Sequence, residues 1–237
     1  MIAEFFRNIF IFPLLNLLVF FYNFIPDVGI VIILLTVLIR LLLLPSFHKG
    51  LRHQKELQEL QPKMNEIKEK YKDDKERQAK ALMELYSAHK VNPLNSCLPI
   101  LIQLPILIAL YQVFIKALNG QELEGIYPFI TNPGAINAMF LGFLNLAQKN
   151  VFLAALAAIL QFIQSKMMMP KKQTQDAAGK MMAIQTVYVL PALTFVFGIQ
   201  FPAGLMLYWI TSTLFGIAQQ YYFLRREAKQ VLYGNKQ

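Results

Sequence analysis

Arg40 lies inside an apolar run that extends from Gly29 to Phe47. An ionised side chain near the middle of a bilayer costs on the order of 3 kcal/mol on insertion scales. Thr36 stands one helical turn before it. Gln103, Gln161, Gln164 and Gln185 fall in other apolar runs, and Trp209, Thr211 and Ser212 fall in the last. None of these groups is a nucleophile paired with a base. They can donate hydrogen bonds, hold water and, at Arg40, attract an anion at membrane depth. The apolar runs contain no Asp or Glu, so an internal salt bridge is not expected and the pattern points to a water-filled cavity open to one side. Plainer readings stand beside this one. Arg40 is about seven residues, roughly 10 Å at 1.5 Å per residue, from the end of its run and could reach water by extending its stem. The amides could join helix to helix at about 1 kcal/mol each, and Trp209 could be core packing.

Covalent and metal chemistry find no support in the residue pattern. Cys97 is the single cysteine, which precludes an intrachain disulfide and a cysteine-rich metal site. His48, His53 and His89 do not repeat at i, i+4 and have no acidic partner at zinc-site spacing. No metal or cofactor is expected. No G-x-S-x-G element marks a serine hydrolase, and the chain is not expected to be an enzyme. The formal net charge of +9 resides in segments between apolar runs, which suits anionic lipid and ribosomal RNA better than a DNA groove.

The elements that must position these residues follow from hydropathy. A chain of 237 residues that is 56% hydrophobic reads as one all-α, polytopic membrane protein. Five apolar runs, 28–47, 97–118, 150–169, 182–200 and 203–223, approach the roughly 20 helical residues that cross a hydrocarbon core. Eleven Lys and Arg residues from Lys49 to Lys90 separate the first two runs. Lys171, Lys172 and Lys180 follow the third, and Arg225, Arg226, Lys229 and Lys236 follow the fifth, whereas the loop 119–149 holds only Lys149. Basic residues near span ends are retained in the cytoplasm, which predicts an external N-terminus, an external loop 119–149 and a short basic cytoplasmic tail over 224–237.

Residues 1–27 carry Glu4, Arg7, Asn8, Asn16 and Asn23 within about half of the helical wheel. That pattern, interrupted by Pro13, favours an amphipathic helix in the outer interface. The alternative is a sixth span with the N-terminus inside. Residues 48–96 form the polar segment. Leu57, Leu60, Met64, Ile67 and Tyr71 recur at three- and four-residue spacing, "KDDK" interrupts, and Ala79, Leu82, Met83 and Tyr86 resume the pattern. This predicts a cytoplasmic helical hairpin, with Pro62 expected to kink or interrupt its first helix.

The run "LYSAHKVNPLNSCLPILIQLPILIALYQVF", with "RLLLLP", "LQPKMNEIKEKYKDDK", "FIQSKM" and "FPAGLMLYWITSTLFGIAQQ", resembles the core of the YidC/Oxa/Alb membrane protein insertases from about residue 20 to residue 226. The resemblance implies an insertase and folding chaperone of the bacterial cytoplasmic membrane. Its five core helices would enclose a hydrophilic groove open to the cytoplasm and to lipid. Arg40 would be the groove arginine, with Thr36 and Trp209 lining the groove or contacting substrate. The implied partners are nascent membrane proteins and the lipid bilayer, with no DNA, and the ribosome and Sec translocon are left open. The chain departs from longer members in lacking an extra N-terminal span and a large periplasmic domain. It also lacks a lipoprotein signal. Two other readings remain at this point: a transporter or channel, which would favour intramembrane carboxylates, and a structural assembly factor for membrane complexes.

Overall fold

The computed structural model describes residues 1–92, 98–118, 123–167, 169 and 184–234. Cys97 and the ends of several expected spans lie outside the described residues. Helix α1 runs through Ile2–Phe6, a wider π-turn at Arg7–Ile11 and Phe12–Phe24. Its buried residues Ile11, Leu15, Leu18, Val19 and Tyr22 recur at helical spacing and form one packed face. Pro13 falls in the first turn of Phe12–Phe24 and does not break the helix. Three polar residues on α1 bond to the loop before the third apolar run. Asn16 donates to Gly125 O and accepts from Tyr127 N at 2.8 and 2.7 Å. Asn23 donates to Thr131 O at 2.8 Å, and Tyr22 Oη accepts from Asn137 N at 2.9 Å.

Helix α2 spans Val28–Leu42 and α3 spans Leu44–Lys70. Asp27 caps α2 by accepting from Gly29 N and Ile30 N at 2.9 and 3.1 Å, two of the donors that a helix start leaves unpaired. Its second oxygen accepts from Leu141 N at 2.7 Å. This ties α2 to a two-stranded antiparallel hairpin, β1 Met139–Phe140 and β2 Leu144–Asn145. The hairpin ring of Phe140 lies so close over Gly29 that a Cβ there would sit 2.1 Å from Phe140 Cδ2. Val28, Val31, Ile32, Leu35 and Thr36 form the buried stripe of α2.

The run expected as a straight span over 28–47 bends by 63° between α2 and α3. Pro45 falls in the first turn of α3, where its missing N–H breaks the ladder from α2 yet suits a helix start. Pro62 does not interrupt its helix, since α3 continues through it without a break. Of the two prolines, the one beside the apolar run makes the corner.

Helix α4, Lys75–Ala88, returns along α3. Asp74 caps it by accepting from Arg77 N at 3.0 Å, and Gln78 Nε2 reaches back to Lys68 O at 2.9 Å. Tyr86 Oη donates to Met64 Sδ at 3.7 Å, and burial pushes the Tyr86 phenol pKa up. The end of α4 closes with Val91 N donating to Tyr86 O at 2.9 Å, while Lys90 turns left-handed at φ 54°, a position usually held by glycine. A lysine there costs roughly 1–2 kcal/mol. Helix α4 has no buried residue, and Gly50 and Leu60 are the buried residues of α3. Amide hydrogen exchange in micelles is therefore expected to be at least tenfold faster in α4 than in α2. Equal protection would mean that the hairpin is held by contacts this packing does not supply.

Helix α5 is Leu98–Leu118, α6 is Val151–Met167, α7 is the π-turn Gln185–Val189 continued by Leu190–Gly198, and α8 is Ala203–Gly234. The core is shared by α1, α2, α5 and α8, with Leu15, Leu18, Ile32, Leu35, Leu110, Phe114 and Met206 among its most buried side chains. The short turn from α7 to α8 is fastened to the hairpin segment, since Ala203 N donates to Gln148 O at 2.7 Å and Gly204 N to Leu146 O at 2.9 Å. Among the described residues, Ala3–Phe24 and Leu101–Leu118 are long and apolar enough to cross a membrane, and the bent pair α2 and α3 qualifies as one broken span. Val151–Met167 and Gln185–Gly198 are shorter apolar helices of 10–17 residues.

Candidate functional site: a polar seam between apolar helices

Helix α8 packs against α2, α5 and α6, and the polar side chains of the four helices meet along it. Arg40 is half-buried at the last turn of α2. Its Nε donates to Ser212 Oγ at 2.8 Å, and a terminal guanidinium nitrogen donates to the same oxygen. The ring of Phe47, just beyond the bend, faces the guanidinium with its centroid 4.5 Å from Cζ, a cation–π arrangement. The corner at Leu43 is what swings Phe47 over Arg40. Among the described residues Arg40 forms no ion pair.

One turn before Ser212, the buried Tyr208 accepts a hydrogen bond at its hydroxyl from Gln103 Nε2 of α5. Arg40, Ser212, Tyr208 and Gln103 thus form a polar line across three helices. On the neighbouring side of α8, Trp209 Nε1 donates to Gln161 Oε1 of α6 at 3.0 Å. Two turns on, Gly216 leaves room for the Gln164 side chain, whose Nε2 a Cβ at Gly216 would approach to 2.2 Å. Further along, Gln219 Nε2 lies 3.3 Å from His48 Nδ1. The amides of Gln103 and Gln161 do bond helix to helix, as their plainer reading has it, but both also border the line that ends at Arg40.

Two of the residues singled out from sequence stand apart. Thr36 is buried with its hydroxyl donated to Ile32 O of its own helix at 2.6 Å, so it offers no free donor to the seam. Gln185 is exposed in the π-turn of α7. Sequence reasoning passed over Tyr208 and Phe47. Tyr208 had a readable signal, since it stands at i, i+4 to Ser212 on one helix face. Phe47 had none, because its place depends on the angle of the bend.

The arrangement gathers hydrogen-bonding groups around one cation. It supplies one positive charge held by a neutral hydroxyl and a ring, with amide, hydroxyl and indole groups beside it. Such a site can hold water and an anionic side chain at a depth where bulk water is excluded.

The chain is 37% identical over 215 residues to the membrane protein insertase YidC of Geobacter sulfurreducens, covering 90% of this chain and 36% of that one. It is 38% identical over 210 residues to the membrane protein insertase YidC of Pelobacter propionicus, covering 89% and 37%. It thus spans little more than a third of the length of these relatives. Among solved structures, an active YidC insertase with its first transmembrane domain resolved superposes with a TM-score of 0.59 at 29% identity, covering 85% of this chain and 43% of that one. The sequence model of the 60Kd inner membrane protein family matches residues 20–230, a stretch that contains Arg40, its bend and every partner in the seam. With its polar seam and most of its length inside that match, the chain belongs to the 60Kd inner membrane protein family.

Proposed function

We propose that this chain is a membrane protein insertase and folding chaperone that passes segments of nascent membrane proteins from the cytoplasm into lipid. The observation that carries the reading is Arg40, a half-buried cation whose partners are a hydroxyl and a ring, which leaves its charge available to an acidic group on a client. A polar tail crossing an apolar slab is opposed by desolvation. A seam of donors reaching partway across shortens that path, and transfer of about 20 apolar residues into lipid supplies the drive. Nothing covalent is asked of the protein.

In this reading α1 lies along the outer interface, which its bonds to the loop over residues 125–137 support. Helices α3 and α4 form a cytoplasmic hairpin, and the C-terminus is cytoplasmic. The basic hairpin and tail suit a ribosome, and cooperation with the Sec translocon is tested by adding it to the same vesicles. A cysteine placed in residues 123–148 is expected to react with an impermeant thiol reagent in intact cells, and one in residues 72–78 is not. The reverse pattern would overturn the orientation. The function itself is tested in lipid vesicles containing the purified chain and a small single-span client, scored by protease protection. Protected client well above the level of empty vesicles is expected. Ion or solute flux without client insertion would favour a channel instead.

A further inference from the structure

A second polar site lies at the base of the α3–α4 hairpin, away from the seam. A cavity of about 640 Å³ opens there, lined by Lys49, Arg52, His53 and Glu56 of α3 and by His89 and Lys90 at the end of α4, with Glu59, Leu60 and Val91 completing the wall. Its two carboxylates are already engaged. Glu56 pairs with Arg52 and His53 at 3.1 and 3.0 Å, and Glu59 pairs with Lys55 at 3.7 Å. Lys49 and Lys90 form no ion pair among the described residues. They approach the cavity from different helices. Leu60 and Val91 give it an apolar floor, buried at 6% and 8% exposure.

Lys90 is the second observation. It holds the left-handed position of the α4 cap, where glycine would be less strained, and it lines this cavity. Strain of this kind is found where a side chain is needed in a fixed place. The third observation is location. Lys49 follows directly after Phe47 and His48, which pack on Arg40 and on Phe223 of α8. The cavity therefore opens where the apolar helices end and the polar hairpin begins.

From these features we infer that the cavity binds the phosphate headgroup of an anionic phospholipid of the cytoplasmic leaflet. Lys49 and Lys90 contact the phosphate, and Leu60 and Val91 face the glycerol side. Basic residues at this level of a membrane attract anionic lipid, and a headgroup seated between α3 and α4 braces the hairpin at its root. The inference relies on the cytoplasmic placement of the hairpin but not on Arg40 or on insertase activity.

The test uses the full chain in detergent micelles, titrated with phosphatidylglycerol or phosphatidylcholine and read by native mass spectrometry. Phosphatidylglycerol is expected to be retained about tenfold more tightly than phosphatidylcholine. In the double variant Lys49→Gln, Lys90→Gly that preference should fall to near unity. Lys90→Gly relieves the left-handed strain, so loss of binding there is not loss of fold. A charge-matched control, Lys75→Gln with Lys80→Gln at the far part of α4, should keep the preference. Equal loss in the control would overturn the site in favour of general charge attraction. Competition by soluble glycerol phosphate at the same concentration as the lipid, or displacement by an acidic peptide and not by lipid, would overturn the lipid assignment. Vesicle insertion and cysteine labelling read the proposed function and the orientation separately.

Discussion

Arg40→Ala is expected to lower vesicle insertion of a client carrying aspartate in its translocated tail by about fivefold, while the same client with asparagine is inserted nearly as well as by the unchanged protein. The size follows from the setting. A hydrated ion pair contributes about 1 kcal/mol, which is about fivefold in a rate or equilibrium. The variant should remain folded, because Arg40 contributes a hydrogen bond to Ser212 and a ring contact at the edge of the packed stripe on α2. Arg40→Lys should retain much of the activity, since the charge stays and only the forked geometry is lost. Ser212→Ala should also retain it, because it frees the guanidinium without removing the charge. Protease protection compared across the two tails and four proteins decides the matter. Equal loss for both tails would rule out charge attraction and assign Arg40 to hydration alone. No loss for either tail would mean that the side chain merely extends to the interface.

The second large effect is structural. Gly29→Ala is expected to lower unfolding free energy in micelles by about 2–3 kcal/mol, the scale of overpacking a tight contact. A Cβ at position 29 would lie 2.1, 2.3 and 2.8 Å from Cδ2, Cγ and Cβ of Phe140, so the ring must leave α2. The same shift would strain the Asp27–Leu141 hydrogen bond that joins the helix start to the hairpin. Phe140→Ala added to Gly29→Ala should restore at least 1 kcal/mol, because the two residues share one contact. Strict additivity in a double-mutant cycle by denaturant titration would show that the hairpin relaxes around the methyl group.

Much of the seam was legible because charge and amide groups are conspicuous against apolar sequence. Arg40, Gln103, Gln161 and Gln164 stand out by type and depth, Trp209 as a groove position only through the family resemblance, and the structure brings all five onto the α8 face or its neighbours. Thr36 donates its hydroxyl to its own backbone, as a threonine in a helix can, a pairing that sequence does not reveal. Gln185 lies exposed on the π-turn of α7, and no hydrogen bond among the described residues joins it to the seam. The bend coincides with Pro45, a residue the sequence reading passed over in favour of Pro62. What separated them was register, since Pro45 can open a new helix whereas Pro62 lies deep inside one. The β1–β2 hairpin was missed because strands of two residues carry no period to detect. Its existence depends instead on Asp27, Asn137 and the loop geometry around Leu141, contacts that are distant in sequence.

Arg40 and the hydroxyl that holds it are separated by 172 residues along the chain. At synthesis rates of about 5–20 residues per second, the helix bearing Arg40 is complete on the order of ten seconds or more before Ser212 exists. A newly made copy therefore carries this charge without its hydroxyl partner until the last helix is made. During that interval the guanidinium can meet water, lipid headgroups or the seam of a finished copy, so the birth of this protein poses the task that its mature form is proposed to perform for others.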